Sequence, residues 1–187
     1  MRNIFIISGP SGAGEDSIIS ALEKLFPTER VVTTTTRQMR TGESEGNPYH
    51  FLSREAFQEK IKAGEFFEYA EEDNHQLYGT THREIGRIKN VKKVVLWKMD
   101  YQGVITMKKI LPEAVSILIM APLDILEQRI RRRENVTDDF VKGRLKHAQG
   151  WFDNRNIFDY EVENEQGRFD ETIQKIAAII KEHTALA

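Results

Sequence analysis

A glycine-rich stretch near the N-terminus, residues 4–17, limits the folds available to this chain more than any other part of the sequence. Its first four residues are apolar and predict a buried strand, and the apolar residues that follow position 17 recur at helical spacing. Between strand and helix lie three glycines, Gly9, Gly12 and Gly14. This order is the setting of a phosphate-binding loop, in which backbone N–H groups and the helix N-terminus surround a phosphate. We therefore expect an anion site at the end of the first strand.

The loop departs from the usual pattern of such sites, G-x-x-x-x-G-K-[ST], at its last two positions. Gly9 and Gly14 match the pattern, but Glu15 stands at the lysine position and Asp16 at the serine or threonine position. A carboxylate about 4 Å from a phosphate charge is repelled by about 4 kcal/mol at an effective dielectric constant of about 20. Nucleotide binding at this loop therefore requires that Glu15 is turned away, paired with a cation or bridged by one.

Strands and helices alternate along most of the chain, which predicts an α/β fold with a mostly parallel, doubly wound sheet. A β-branched run at residues 30–36 predicts one strand, and the continuously apolar residues 94–97 predict a strand buried on both faces. Lys98 and Asp100 follow that strand two residues apart, so in extended chain they face the same way, toward the ligand-binding edge. Residues 37–81 interrupt the alternation with short strands and aromatic side chains, and we interpret them as an inserted subdomain.

Composition excludes several classes of function. The 187 residues carry 27 basic and 29 acidic side chains, a net charge of −2, which gives no support to binding of nucleic acid or of a membrane surface. The chain has no cysteine, its histidines lack metal-ligand spacing, and no apolar run approaches the roughly 18 residues of a membrane span. Since no signal-peptide pattern precedes the first strand, we expect a cytoplasmic protein that acts on small molecules. The sequence does not predict an oligomeric state.

Four segments, taken together, resemble the guanylate kinase family in order and spacing. They are the loop at residues 8–14, the block Thr35-Thr-Arg37-x-x-Arg40-x-Gly-Glu43-x-x-Gly46-x-x-Tyr49-x-Phe51, the segment 64–68 taken together with 78–80, and Asp100-x-Gln102-Gly103. Later residues extend the likeness almost to the end of the chain: Arg131, Arg133, Arg144, Leu145, Asp159, Tyr160 and Asn164. The resemblance implies one P-loop domain over residues 1–187, with a core (1–32, 82–125 and 155–187), a GMP-binding insert (33–81) and an arginine-rich lid (about 126–154).

The resemblance also implies which residues bind the substrates, ATP and GMP. GMP would be bound by Thr33, Arg37, Arg40, Glu43, Tyr49, Glu68, Tyr78, Thr80 and Asp100. ATP would be bound by Gly9, Pro10, Ser11, Gly12, Ala13, Gly14, Glu15, Asp16, Ser17, Arg133 and Asn164. Arg40, Arg131 and Arg144 would be catalytic, and Asp16 and Ser17 would hold the Mg²⁺ that accompanies ATP. The chemistry agrees, because arginine and phenol groups suit phosphate, and carboxylates accept hydrogen bonds from a guanine edge that adenine lacks.

Lys98 stands where that family usually carries an aspartate, on a strand expected to neighbour the loop. Either Lys98 pairs with Glu15, or it reaches the β- and γ-phosphates and replaces the missing loop lysine as a catalytic cation. Two functions follow: an active kinase that converts ATP and GMP to ADP and GDP, or an inactive module that binds GMP or a phosphorylated protein. We favour the kinase, because a module that only binds has no evident use for an arginine-rich lid.

Overall fold

The computed structural model of the protein describes residues 3–71, 75–132 and 136–184. In chain order its strands are β1 (Ile4–Ser8), β2 (Thr28–Arg30), β3 (Thr33–Thr35), β4 (Ser44–Glu45), β5 (Pro48–Phe51), β6 (Phe66–Glu71), β7 (Leu77–Thr81), β8 (Val94–Lys98), β9 (Val115–Met120) and β10 (Tyr160–Glu163). Its α-helices are α1 (Glu15–Leu25), α2 (Arg54–Lys62), α3 (His82–Ile88), α4 (Tyr101–Ile110), α5 (Leu123–Arg131), α6 (Asp138–Asp153) and α7 (Phe169–His183), and a 3₁₀ turn lies at Arg155–Ile157.

The core is a parallel sheet with the strand order β10-β9-β1-β8-β2. Strand β1 lies at its centre, between β8 and β9, so the loop that follows β1 leaves the middle of the carboxyl edge. The register pairs Ile7 with Lys98, which brings the end of β8 beside the start of the loop. This edge is where sheets of this type bind ligands. The mostly parallel α/β fold expected from the sequence is confirmed.

Both faces of the core sheet are covered by helices, which explains the continuous apolar runs of its strands. Phe5 and Ile7 face a cluster with the apolar residues of α1 and α7, whereas Ile6, between them, faces α3 and α4. Side chains of a strand point alternately to opposite faces, so from Phe5 onward β1 is buried on both faces. Burial of each such side chain stabilises the fold by about 1.5–3 kcal/mol, and this rigid layer supports the loop.

A second sheet, with the order β4-β5-β3-β7-β6, is built from strands within residues 33–81. Its pairs are mixed: β3 is parallel to β5 but antiparallel to β7. The single strand expected at residues 30–36 is wrong, because β2 ends at Arg30 in the core sheet and β3 begins at Thr33 in the second sheet. Between them the Val31 N–H bonds the Leu96 carbonyl, and the Val32 N–H bonds a carboxylate oxygen of Glu84. The division of the chain into core, insert and lid stays a prediction.

Helices α5 and α6 form the segment expected to be the lid. Thr137 caps α6, since its hydroxyl accepts a hydrogen bond from the Phe140 N–H, as its position before an apolar pattern indicates. Arg133 lies outside the described residues. Within the ranges that the structure describes, no helix combines the length and the apolar composition needed to cross a bilayer.

Candidate active site

A cavity of about 560 Å³ lies between the carboxyl edge of the core sheet, the second sheet and helix α6. Its walls come from segments far apart in the sequence, which the two sheets bring together at the end of β1. The residues expected from the sequence that line it are Gly9, Ser11, Gly12, Gly14, Glu15, Asp16, Ser17, Thr33, Arg37, Arg40, Glu43, Tyr49, Glu68, Tyr78, Lys98, Asp100 and Arg144. The cavity is therefore the candidate active site.

The loop after β1 has the shape of an anion-binding turn. Gly14 precedes α1 with φ of 101°, in the left-handed region that glycine adopts without strain. Gly9 lies so close to the core that an added Cβ would be 2.6 Å from the Ile119 carbonyl oxygen. The side-chain amide of Asn164 donates to the Ala13 carbonyl at 2.7 Å and holds the loop from below. The N-terminus of α1 consequently opens into the cavity, as phosphate binding requires.

Lys98, Asp16 and Arg30 form an ion-pair cluster beside this loop. The Lys98 ammonium donates to Oδ2 of Asp16 at 2.7 Å, and the Arg30 guanidinium donates to Oδ1 at 3.2 Å. The carboxylate is thus held between cations from two neighbouring strands, β8 and β2. The sequence left open whether Lys98 pairs with Glu15; in the structure its ion pair is with the next residue, Asp16, and Glu15 lies in the cavity wall.

Charges inside the cluster favour the ionised forms of Lys98 and Asp16. Burial by itself lowers the pKa of Lys98, but the electrostatic effects of Tyr49, Glu15 and Asp16 outweigh it, so this pKa is raised above its ordinary value. Burial raises the pKa of Asp16, and Lys98 and Arg30 more than reverse that effect, so the net shift is downward. Around neutral pH the charged carboxylate of Asp16 is therefore in contact with the charged ammonium of Lys98.

The second sheet presents a group of arginine and tyrosine side chains to the cavity. The Arg37 guanidinium makes two hydrogen bonds to the Glu43 carboxylate, at 2.8 and 3.0 Å, and lies over the Tyr49 ring at 5.2 Å. Glu43 also accepts the Arg40 N–H at 2.8 Å, while the Tyr49 and Tyr78 rings meet edge to face. Glu43 was expected among the GMP-binding residues; here it orients Arg37 and the turn that carries Arg40. Arginine forks and phenol hydroxyls in one wall suit a phosphate.

Two carboxylates lie in the part of the cavity between the sheets. Asp100 caps α4, with its Oδ1 accepting the Gly103 N–H at 2.8 Å, and Glu68 projects from β6. Burial raises the pKa of Glu68 to about 7, and the charge of Asp100 acts in the same direction. Hydrogen-bond donors from a ligand, such as those on the guanine edge, would stabilise the ionised form of a carboxylate that is so costly to ionise.

Helix α6 closes the third side of the cavity with Arg144, His147 and Trp151, which follow one another at helical spacing. The Trp151 indole N–H donates to the buried Ser8 hydroxyl at 2.9 Å, at the last residue of β1. The indole also packs edge to face on His147 and on Tyr101 of α4. These contacts attach the lid segment to the core at the base of the phosphate loop.

Comparison with known proteins identifies the family of the chain. The family model for guanylate kinase matches residues 1–183. The chain belongs to the guanylate kinase family. The guanylate kinase of Rickettsia felis is 38% identical over 180 residues, which are 95% of this chain and 92% of the relative. That of Idiomarina loihiensis is 36% identical over 184 residues, 96% and 86% of the two chains.

A solved structure agrees with these relatives. The crystal structure of guanylate kinase from Anaplasma phagocytophilum matches with a TM-score of 0.75 at 28% identity, over 97% of this chain and 85% of that one. The membership of the guanylate kinase family expected from the sequence is therefore confirmed, and with it the P-loop kinase class.

Some residues that the resemblance to guanylate kinases singled out lie away from the cavity. Arg131 pairs with Glu127 and Asp138 on the outside of α5, and Arg133 is outside the described residues. Pro10, Ala13 and Thr80 are not among the residues that line the cavity. Asn164 lines a smaller cavity of about 380 Å³, which shares Gly14, Ser17 and Arg129 with the main one and also includes Arg132. Their roles stay predictions.

Two arginines of the site were missed by the sequence analysis. Arg129, on α5, donates to the carbonyls of Gly12 and Asn164 and lines both cavities. Arg30 lines the main cavity through its contact with Asp16. The spacing of α5 offered a signal for Arg129, because it lies on the same face as the buried Leu126, whereas Arg131 does not. Arg30 is the last residue of β2, and the sequence predicted a single strand that joined this residue to β3.

Proposed function

We propose that this protein transfers the γ-phosphoryl group of ATP to GMP, giving ADP and GDP, with Lys98 in place of the missing loop lysine. The observation that carries the proposal is that the phosphate loop and the arginine–tyrosine wall of the second sheet open onto one cavity. An ATP phosphate at the loop and a GMP phosphate at that wall would face each other across it. Membership of the guanylate kinase family supports the same reaction.

The acceptor half of the cavity suits GMP. Arg37, Arg40, Tyr49 and Tyr78 offer donors to its phosphate, and Glu68 and Asp100 offer acceptors to the guanine N1–H and 2-amino group. Adenine lacks this donor edge, so an AMP molecule would form none of these hydrogen bonds with Glu68 and Asp100. The selectivity of the site for guanine is therefore expected to be large.

The donor half requires a cation that the loop does not provide. Lys98 begins next to the loop, with Ile7 as its partner in the register, and its ammonium lies on Asp16 at the N-terminus of α1. A small movement of the flexible side chain would carry the ammonium from Asp16 to the β- and γ-phosphates. Phosphoryl transfer depends on positioning and on neutralising charge more than on covalent catalysis by the protein, so the strand from which the cation comes is not critical.

Bond changes follow from this arrangement. An oxygen of the GMP phosphate attacks the γ-phosphorus of ATP, and the bond from that phosphorus to the β,γ-bridging oxygen breaks. Lys98 and Arg144, which enter the cavity from β8 and α6, would bind the oxygens on which negative charge accumulates. Arg40 would hold the acceptor phosphate in line. The remaining predicted catalytic residue, Arg131, would have to leave its pairs with Glu127 and Asp138 to take part.

The expected Mg²⁺ ligands, Asp16 and Ser17, fit the ion in part. Both oxygens of the Asp16 carboxylate hold cationic side chains, so Oδ2 becomes available only after Lys98 leaves it. Ser17 is exposed and lines the cavity. The described residues contain no group of three or more acidic or histidine side chains suited to a metal, but nucleotide-bound Mg²⁺ needs only one or two protein ligands. Bound with ATP, the ion would neutralise charge on the transferred phosphoryl group.

A second function deserves testing because of one observation, the Lys98–Asp16 ion pair. If that pair is permanent, Lys98 serves stability, and the protein is an inactive module that binds GMP or a phosphorylated protein through the second sheet. In such a module the site lysine would be paired with an acidic side chain, as Lys98 is paired with Asp16 here.

A coupled assay of purified protein with ATP, Mg²⁺ and GMP separates the two functions. The kinase predicts GDP formation with GMP, far less with AMP, and loss of turnover in Lys98→Met with GMP affinity preserved. The binding module predicts GMP binding without turnover in the unchanged protein, and a loss of stability in Lys98→Met. Absence of both turnover and GMP binding would reject both functions.

A further inference from the structure

Arg30 is the cation of the cluster that the proposed reaction does not yet use. Its guanidinium contacts Oδ1 of Asp16 at 3.2 Å, while Lys98 contacts Oδ2 at 2.7 Å. The Arg30 side chain is 21% exposed, against 66% for the Asp16 side chain, so the arginine is mostly enclosed and the carboxylate is not. The two cations thus approach one carboxylate from separate sides.

The backbone around Arg30 is fixed by contacts that do not involve the cavity. Arg87 donates to the Arg30 carbonyl at 2.6 Å, and the next N–H, of Val31, bonds the Leu96 carbonyl at 3.0 Å. Arg87 in turn pairs with the carboxylate of Glu84. Arg30 and Lys98 both reach the loop from strand ends, but the Arg30 guanidinium is a planar fork suited to one fixed carboxylate, whereas the Lys98 ammonium is a compact charge on a flexible stem.

These contacts set a requirement for the donor half of the site. When the Lys98 ammonium moves to a phosphate of ATP, the Asp16 carboxylate remains close to that phosphate. A carboxylate with no other cation would repel the phosphate and attract Lys98 back. A second cation that stays on Asp16 removes both effects, and Arg30 is the cation in contact with its other oxygen.

We infer that Arg30 is a positioning residue, which holds the Asp16 carboxylate in place and thereby allows Lys98 to bind the donor phosphate. This inference rests on the proposed role of Lys98. It assigns to Arg30 no contact with either nucleotide: the guanidinium acts through Asp16. It also explains why an acid is tolerated at a loop position beside the phosphate, since two cations, from β8 and β2, share its charge.

A double-mutant cycle on Arg30 and Asp16 tests the inference through binding of a non-hydrolysable ATP analogue in EDTA, so that the metal has no part in the readout. Arg30→Met should weaken binding about tenfold, because Lys98 is then retained by Asp16. In the Asp16→Asn background, where the Asp16 carboxylate no longer holds Lys98 and Glu15 is unchanged, the same change should alter affinity by less than about twofold. Arg30→Lys should restore most of the affinity, and GMP affinity should stay constant throughout.

Other outcomes would overturn the inference. Equal losses from Arg30→Met in both backgrounds would mean that Arg30 contacts the phosphate directly. No loss in either background would mean that Arg30 has no role in binding ATP. A parallel loss of GMP affinity and thermal stability would mean that its role is only structural. Arg83→Met removes an exposed arginine of α3 outside the cavity and controls for net charge.

The binding of Lys98→Met distinguishes failure of the proposed function from failure of the inference on Arg30. If Lys98→Met binds the analogue as tightly as the unchanged protein, Lys98 is not the phosphate cation and the proposed function fails at that point. If Lys98→Met binds weakly while the Arg30–Asp16 cycle shows no coupling, the inference on Arg30 alone is rejected.

Discussion

Glu68 should make GMP binding depend on pH in a way that its neutral counterpart, Glu68→Gln, does not. Burial raises the pKa of this carboxyl to about 7 in the protein without ligand. Guanine recognition requires the ionised carboxylate, which accepts the N1–H and 2-amino hydrogens. At pH 6, one unit below that pKa, only about one molecule in eleven is ionised, against about ten in eleven at pH 8. GMP affinity should therefore fall about tenfold between pH 8 and pH 6 from this group alone.

The same shift has a consequence for stability, with the opposite sign. The folded pKa of about 7 lies above the ordinary value of 4.5, so Glu68 costs nothing below about pH 4.5 and destabilises the fold increasingly as pH rises toward 7. A shift of this size corresponds to roughly 3 kcal/mol at pH 8. Glu68→Gln should accordingly raise the free energy of unfolding at pH 8, by up to that amount, while it weakens the preference for GMP over AMP.

Calorimetric titration with GMP at pH 6 and pH 8, for the unchanged protein and for Glu68→Gln, measures the effect. The phosphate of GMP titrates near pH 6 and contributes its own pH dependence. Glu68→Gln keeps that contribution, so the difference between the two proteins isolates Glu68. The reasoning is refuted if both proteins lose the same affinity on acidification, or if Glu68→Gln is no more stable than the unchanged protein at pH 8.

Three further changes test other parts of the site. Lys98→Met should lower turnover by about two orders of magnitude or more with GMP affinity within about twofold of normal, and a variant as fast as the unchanged protein would exclude a role for this lysine. Gly14→Ala places a Cβ 2.7 Å from the Asn164 amide at a φ of 101°, and should cost roughly 1–3 kcal/mol in urea denaturation. Trp151→Phe deletes the donor to the buried Ser8 hydroxyl, and should cost about 1–3 kcal/mol by the same measurement. Unaltered stability would show that this bond does not tie α6 to the core.

Local sequence was sufficient for elements that carry their own signals. Residues 94–97 are apolar without interruption, and β8 is buried on both faces. Ser53 stands before an apolar pattern of helical period, and its hydroxyl accepts the Ala56 N–H at the start of α2. Propensity and capping act within a few residues, so a single chain segment contains the information.

The same reasoning was insufficient at residues 30–36, where the sequence predicts one strand and the structure has two. β-Branched residues favour a pleated backbone but do not select a partner strand. The break is set by Glu84, whose carboxylate takes the Val32 N–H across 52 positions of sequence. A contact at that separation has no local signature.

The sequence by itself determined the phosphate loop, its two acidic departures, the family and most of the residues that line the cavity, because motif spacing and periodicity survive without coordinates. The tertiary structure alone decided the ionic partners. Lys98 meets Asp16 across 82 positions, and Arg30 joins them only because β2 pairs with β8 in the core sheet. Likewise Arg129, and not Arg131, faces the loop, since helix α5 presents only one of its faces to the core. Ion pairs depend on distances of a few ångströms between separate elements, which residue types and spacing do not specify.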